Sequence, residues 1–180
     1  MIVSCDGAAR GNPGPAGIGV VVATPGGEVL AAVGEGIGVA TNNVAEYRAA
    51  LRGLELARAH GATDVVLRSD SKLLVEQLLG RWQVRNPSLM RLHDRVRALQ
   101  RGFRSVRFEH VPRARNAEAD TLANRGVDDW LAGPGRGHTR PRPAPRLFPT
   151  PPAGALQGPA SILSRRRSRP GGRGSGKSSS

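Results

Sequence analysis

The stretch Asp6-Gly7-Ala8-Ala9-Arg10-Gly11-Asn12-Pro13-Gly14-Pro15 follows a short apolar run, Ile2-Val3-Ser4-Cys5. A carboxylate closing such a run, with a Gly- and Pro-rich turn after it, predicts that Asp6 ends the first strand at a sheet rim. The glycines there let backbone come close to a partner. Taken alone, the same letters describe a hairpin turn with a solvated Asp at its edge. The company Asp6 keeps further along the chain decides between the two.

Downstream, Ala16 to Ala23 reads as a second strand, Thr24-Pro25-Gly26-Gly27 as a turn, and Glu28 to Val39 as a third strand weakened by glycines. Sequential strands joined by tight turns make an antiparallel meander. The period then changes. Val44, Tyr47, Leu51 and Leu54 recur at helical spacing between Val44 and His60, and Gly61 closes that helix. Asp64 to Ser69 is a short strand around Val65-Val66-Leu67, and Ser71 to Leu79 a helix stopped at Gly80. Leu89, Leu92, Val96 and Leu99 mark another helix, ended by Gly102. Val106, Phe108 and His110 alternate with Arg107, Glu109 and Val111 as in a strand. Asn116 caps a last helix that runs through Asn124 and ends near Gly126. The order βββαβααβα predicts an α/β (mixed α+β) fold: a five-stranded mixed sheet, three antiparallel strands then βα units, flanked by helices.

Charge divides the 180 residues in two. Residues 1–132 hold 17 Lys and Arg against 14 Asp and Glu, whereas residues 133–180 hold ten basic groups and no acid. Most of the formal net charge of +13 therefore sits in the tail. With nine Pro, nine Gly and a single aromatic, Phe148, that tail cannot bury enough apolar surface to offset the entropy of ordering it. The expectation is a folded domain over 1–130 and a disordered basic tail over 131–180. Such a tail attracts polyanions, nucleic acid first, although Arg outnumbers Lys 25 to 2, a skew that codon bias also produces. Cys5 is the only cysteine, which excludes an intramolecular disulfide and a Cys-based zinc site. No basic region followed by a long apolar stretch opens the chain, and the longest apolar run, Ile18 to Ala23, is too short to span a bilayer. A soluble, cytoplasmic protein with no membrane partner is expected.

Four acidic residues fall at comparable places in this pattern: Asp6 at the end of the first strand, Glu46 one turn into the first helix, Asp70 at the end of the fourth strand, and Asp120 in the last helix. If the first and fourth strands are neighbours, Asp6 and Asp70 end side by side, and the helices bring Glu46 and Asp120 over the same rim. Clustered carboxylates repel unless something positive lies among them, and hard divalent ions are the natural partners. Two such ions about 4 Å apart suit in-line displacement at a phosphodiester. Each residue also has a plainer reading. Glu46 stands three residues after Asn43 as in a capping box. Asp70 precedes Ser71-Lys72 as an N-cap, and Asp120 could be solvated in a polar helix start.

Together, Asp6-Gly7 with Gly11-Asn12-Pro13-Gly14-Pro15, Thr41-Asn42-Asn43-x-x-Glu46, Ser69-Asp70-Ser71 and Asn116-x-x-Ala119-Asp120-x-Leu122-Ala123 resemble ribonuclease H of type 1 over residues 1–130. The resemblance implies the ribonuclease H-like fold and an endoribonuclease that hydrolyses the RNA strand of RNA/DNA hybrids, leaving 5′-phosphate and 3′-hydroxyl ends. It implies two Mg²⁺ ions, with Mn²⁺ as a substitute. Asp6 would be shared by both ions, Asp120 would help hold the ion that activates the attacking water, and Glu46 and Asp70 would hold the ion at the leaving 3′-oxygen. Glu46 would also lie near a ribose 2′-hydroxyl, the group that separates RNA from DNA. By the same resemblance, backbone near Gly7 and the side chains of Asn12, Asn42 and Asn43 touch the hybrid, and Thr41 approaches a DNA phosphate. Asn suits this role because it both donates and accepts; the plainer reading of Asn42-Asn43 is a loop and helix cap.

Three departures from the family pattern stand out. Where many members carry a mobile His, a shortened loop, His110-Val111-Pro112-Arg113-Ala114-Arg115-Asn116, places Arg113, and His110 reads as a structural residue. This resembles the archaeal and actinobacterial branch. The basic, Trp-rich helix that some members insert is replaced by Arg81-Trp82-Gln83-Val84-Arg85. Only Ile2–Cys5 precede Asp6, so the first strand is short or its true start lies upstream. The basic tail could supply the missing grip on the hybrid, and nothing in 133–180 matches the phosphatase-like domain that follows in some relatives. The alternatives are a non-catalytic hybrid-binding module of the same fold, a DNA-processing nuclease sharing the sheet, and a basic structural protein. All four carboxylates and the Thr-Asn-Asn element favour the hybrid nuclease, acting as a monomer with no obligatory protein partner.

Overall fold

The computed structural model describes residues 1–133; of the disordered tail expected over 131–180, residues 131 and 132 are helical and 134–180 lie outside the described residues. The strands are β1 (Ile2–Ala9), β2 (Gly14–Ala23), β3 (Val29–Ala40), β4 (Asp64–Ser69) and β5 (Ser105–His110). The helices are α1 (Asn42–Ala59), α2 (Lys72–Leu78), α3 (Pro87–Gln100) and α4 (Ala117–Ala132), with a single 3₁₀ turn at Arg113–Arg115 before α4. The sheet runs β3-β2-β1-β4-β5. β1, β2 and β3 are antiparallel neighbours, while β1–β4 and β4–β5 are parallel, so the expected mixed sheet forms.

β1 is central and carries the core. Val3 and Cys5 are fully buried with Val20, Val22, Leu54 and Leu67. α1 packs on this face, and Gly53 sits against Val3 because a Cβ there would come within 2.5 Å of the valine side chain. α4 packs on β2 and β3 from the other face. Gly19 is essential to that approach, since a Cβ on it would lie 1.9 Å from the Ala119 carbonyl oxygen. Among the described residues no helix is long and apolar enough to cross a membrane.

Two boundaries differ from the sequence reading. β1 does not stop at Cys5: Asp6, Gly7, Ala8 and Ala9 continue the ladder against Gly19, Ile18, Gly17 and Ala16. The turn begins only at Arg10, whose N–H donates to the Pro15 carbonyl at 2.8 Å. Asp6 is thus inside β1 rather than at its end. The pairing with β4, however, ends at Ser4↔Arg68, so the β4 side of β1 is open from Cys5 onward. The crevice outside the carboxyl ends of parallel strands is where open α/β sheets bind ligands. The last helix, in turn, does not end near Gly126. It runs on to Ala132 because Gly126, with no side chain, lets α4 lie directly on Glu35 of β3, where a Cβ would stand 2.6 Å from the carbonyl oxygen.

Candidate active site

Four elements deliver one carboxylate each to the open end of β1. Asp6 comes from β1 itself, Asp70 follows the last residue of β4, Glu46 lies in the second turn of α1, and Asp120 lies in the first turn of α4. Two glycines set this convergence. A Cβ on Gly7 would lie 2.2 Å from the Glu46 backbone nitrogen, so only glycine lets the first turn of α1 rest on β1. Gly19, paired with Asp6 across β1 and β2, does the same for α4 and brings Asp120 in. Asp6, Glu46, Asp70 and Asp120 then line one cavity of about 370 Å³ with Gly7, Asn42 and Arg113.

The plainer readings of these residues resolve one by one. Thr41, not Asn43, caps α1, its hydroxyl accepting from the Val44 N–H at 3.3 Å. Ser71, not Asp70, caps α2, accepting from the Leu74 N–H at 3.3 Å. Both carboxylates are therefore free of capping duty. Asn116 holds the N-cap position of α4 but makes no side-chain cap bond. It is buried, and its amide donates to the Cys5 carbonyl at 3.0 Å and to Asp70 Oδ1 at 2.8 Å. The amide thus ties the end of β1 to Asp70. The Asn-x-x-Ala-Asp spacing was the available signal, but it reads equally as a helix cap. His110 is exposed, with Nε2 3.2 Å from the Asp70 carbonyl oxygen.

The expected substrate contacts cluster partly. Asn12 Oδ1 accepts from the Asn42 N–H at 3.2 Å, and Asn42 Nδ2 lies 3.5 Å from Glu46 Oε1. Asn43 is exposed, and Gly7 and Arg113 line the cavity itself. Thr41 lines a neighbouring groove of about 510 Å³ whose cationic lining is Arg48, Arg91 and Arg95, with no acidic residue among them. This arginine groove between α1 and α3 was not anticipated, because nothing local in the sequence joins Arg48 to Arg91.

Electrostatics follow from the crowding. Burial pushes the Asp6 carboxyl up to about 7, with Asp70 and Asp120 adding to the effect. Burial again, then Asp6 and Asp70, push Glu46 up to about 9, against hydrogen bonds from Ser69 and Asn42. Arg113 donates to Asp120 Oδ1 at 2.5 Å and is the cation of the cavity. Glu46 Oε2 is buried with no hydrogen-bond partner. An orphaned buried oxygen beside three further carboxylates suits a hard cation bound through oxygen. Among the described residues no three His, Cys, Asp or Glu side chains are placed so that together they could hold a metal ion. Asp120 is held by Arg113 and Asp70 by Asn116.

Residues 4–126 match the reverse transcriptase-like family. A ribonuclease H of Pseudomonas entomophila is 34% identical, over 71% of this chain and 93% of its own length. The chain belongs to the ribonuclease H family. Ribonuclease HI of Halobacterium salinarum is 48% identical over 69% of this chain and 62% of its own. Bifunctional protein Rv2228c of Mycobacterium tuberculosis is 50% identical over 71% of this chain, which spans only 35% of that relative. The N-terminal ribonuclease H domain of Rv2228c, solved as a fusion with maltose-binding protein, superposes with a TM-score of 0.69 at 51% identity, over 71% of this chain and 98% of that one. LC11-RNase H1 in complex with RNA/DNA hybrid gives 0.69 at 40% identity, over 72% and 98%. The ribonuclease H family is dependent on divalent metal ions, which agrees with the donor set of the cavity.

Proposed function

We propose that this protein is an endonuclease that hydrolyses the RNA strand of RNA/DNA hybrids with two divalent ions, Mg²⁺ or Mn²⁺, leaving 5′-phosphate and 3′-hydroxyl ends. The observation that carries this reading is the delivery of Asp6, Glu46, Asp70 and Asp120 by four separate elements into one cavity. The hybrid bound by LC11-RNase H1 supports the substrate.

In this reading Asp6 and Asp120 would hold one ion, and Asp6, Glu46 and Asp70 would hold the other. When bound, such ions acidify the attacking water and offset charge on the phosphate and leaving oxygen. The chain's residues do the rest. Asn116 fixes the Asp70 carboxylate beside the end of β1, donating to both Asp70 and the Cys5 carbonyl. Ser69 and Asn42 orient Glu46 beside the ribose 2′-hydroxyl. Asn12, hydrogen-bonded to the start of α1, and Asn42 and Asn43 address the minor groove, while Arg113 addresses a phosphate near the cut. The groove of Thr41, Arg48, Arg91 and Arg95 takes the backbone of the DNA strand, a contact of charge and position rather than of sequence. The basic tail adds affinity as a tethered polycation. Ligation of the products to an acceptor bearing a 3′-hydroxyl tests the end chemistry: 5′-phosphate products join without prior kinase treatment. Products that need kinase would contradict the proposed attack.

A further inference from the structure

One side chain lining the cavity is a cation, and it is paired with one of the four carboxylates. Arg113 sits on the 3₁₀ turn just ahead of α4, its guanidinium donating to Asp120 Oδ1 at 2.5 Å. Its side chain is 74% exposed, against 25% for Asp120, so it can swing into solvent without disturbing packing while Asp120 stays in place. Among the described residues Arg113 pairs with Asp120, and Asp6 and Asp70 attract the guanidinium from further off. A divalent ion held by Asp6 and Asp120 would compete with Arg113 for the Asp120 carboxylate.

We propose that Arg113 is the resident counter-cation of this cavity: it holds Asp120 until a backbone phosphate of the bound strand draws the guanidinium away, so that strand binding and divalent-ion binding are coupled through this one side chain. The inference rests on the reading of the carboxylates as ion ligands. It makes Arg113 a positioning residue for Asp120 as well as a phosphate contact. A guanidinium suits the exchange because it pairs carboxylate and phosphate with the same planar fork. Coupling of this kind is reciprocal: whatever the strand does for the ion, the ion does for the strand.

The test is calorimetric titration of MgCl₂ into the protein without nucleic acid, for wild type, Arg113→Ala, Asp120→Asn and the double variant. Arg113→Ala is expected to bind Mg²⁺ about 1.5- to fivefold more tightly, the range set by removing one partly exposed ion pair. In the Asp120→Asn background the same substitution is expected to change nothing, because the two residues act as a unit. Hybrid affinity in EDTA, read by fluorescence anisotropy, is expected to fall in Arg113→Ala. Equal Mg²⁺ affinity in wild type and Arg113→Ala overturns the proposal while leaving the ion-site reading intact. A gain of equal size in the Asp120→Asn background overturns it too, since Arg113 would then act as a distant charge. Unchanged hybrid affinity in EDTA overturns the coupling to the strand. No Mg²⁺ binding by any of the four proteins overturns the ion-site reading itself.

Discussion

Burial, then neighbouring carboxylates, push Glu46 up to about 9 and Asp6 up to about 7, so without a bound cation both favour the protonated form more than a solvated carboxyl does. Both values lie above those of the unfolded chain, so the folded state binds more protons there. The stability these groups contribute is whole below the unfolded carboxyl range. It is lost as pH rises through about 7 for Asp6 and about 9 for Glu46. In EDTA the melting temperature is therefore expected to fall by roughly 5 °C as pH rises from about 5 to about 9, and Asp6→Asn with Glu46→Gln to flatten that fall. Mg²⁺ is expected to restore more stability at the alkaline end, since it takes over the charge that the protons neutralise. A melting curve that rises with pH in EDTA would contradict this ordering. Asn116 acts at the same scale. Its amide holds Asp70, so Asn116→Ala is expected to reduce cleavage about 10- to 100-fold while Asn116→Asp, with its carboxylate facing Asp70, does no better. Steady-state rates at saturating Mg²⁺ check this.

The elements matter because each sets where a carboxylate stands. Gly7 carries the first turn of α1 on β1, and a Cβ 2.2 Å from the Glu46 nitrogen must push that turn off the strand. Gly7→Ala is expected to cost about 1–3 kcal/mol of stability. It should also reduce cleavage by more than that loss explains, measured at a temperature where the variant remains folded. Along the crease of α1 and α3, Arg91 and Arg95 face the groove that Thr41 enters. Replacing both with Ala is expected to reduce the slope of log affinity against log salt by about 1–2 for hybrid. An unchanged slope would remove this groove from the interface. The sequence shows the periodicity of these elements well, because apolar spacing is local. It does not show that Asn86 caps α3 at Pro87, or that Gly126 is an internal contact rather than a stop. A glycine that ends a helix and one that touches a strand are spelled the same way.

At the scale of the whole molecule, the sheet order follows from β1 pairing on both sides, antiparallel to β2 and parallel to β4. That topology was legible, since a meander followed by βα units leaves few arrangements. The gathering of Asp6, Glu46, Asp70 and Asp120 was legible for the same reason, although Asp6 lies within β1 rather than at its end: the topology still brings all four to one rim. What was not legible is contact across long separations, Asn116 on Cys5 and Arg48 in one groove with Arg91, and the pairing of Arg113 with Asp120 across a short turn. These depend on where a short turn sets the start of α4, and on how α3 leans on α1, which no local pattern records. The central claim is that one cavity of four carboxylates cuts RNA in a hybrid. It is tested most directly by incubating a labelled RNA/DNA hybrid, duplex DNA and duplex RNA with wild type and Asp6→Asn, in Mg²⁺, Mn²⁺ and EDTA. The expected result is cleavage of the hybrid's RNA strand alone, dependent on the ion and reduced more than about a hundredfold in Asp6→Asn. Hybrid bound but uncut in either ion, or cleavage that survives Asp6→Asn, would contradict it.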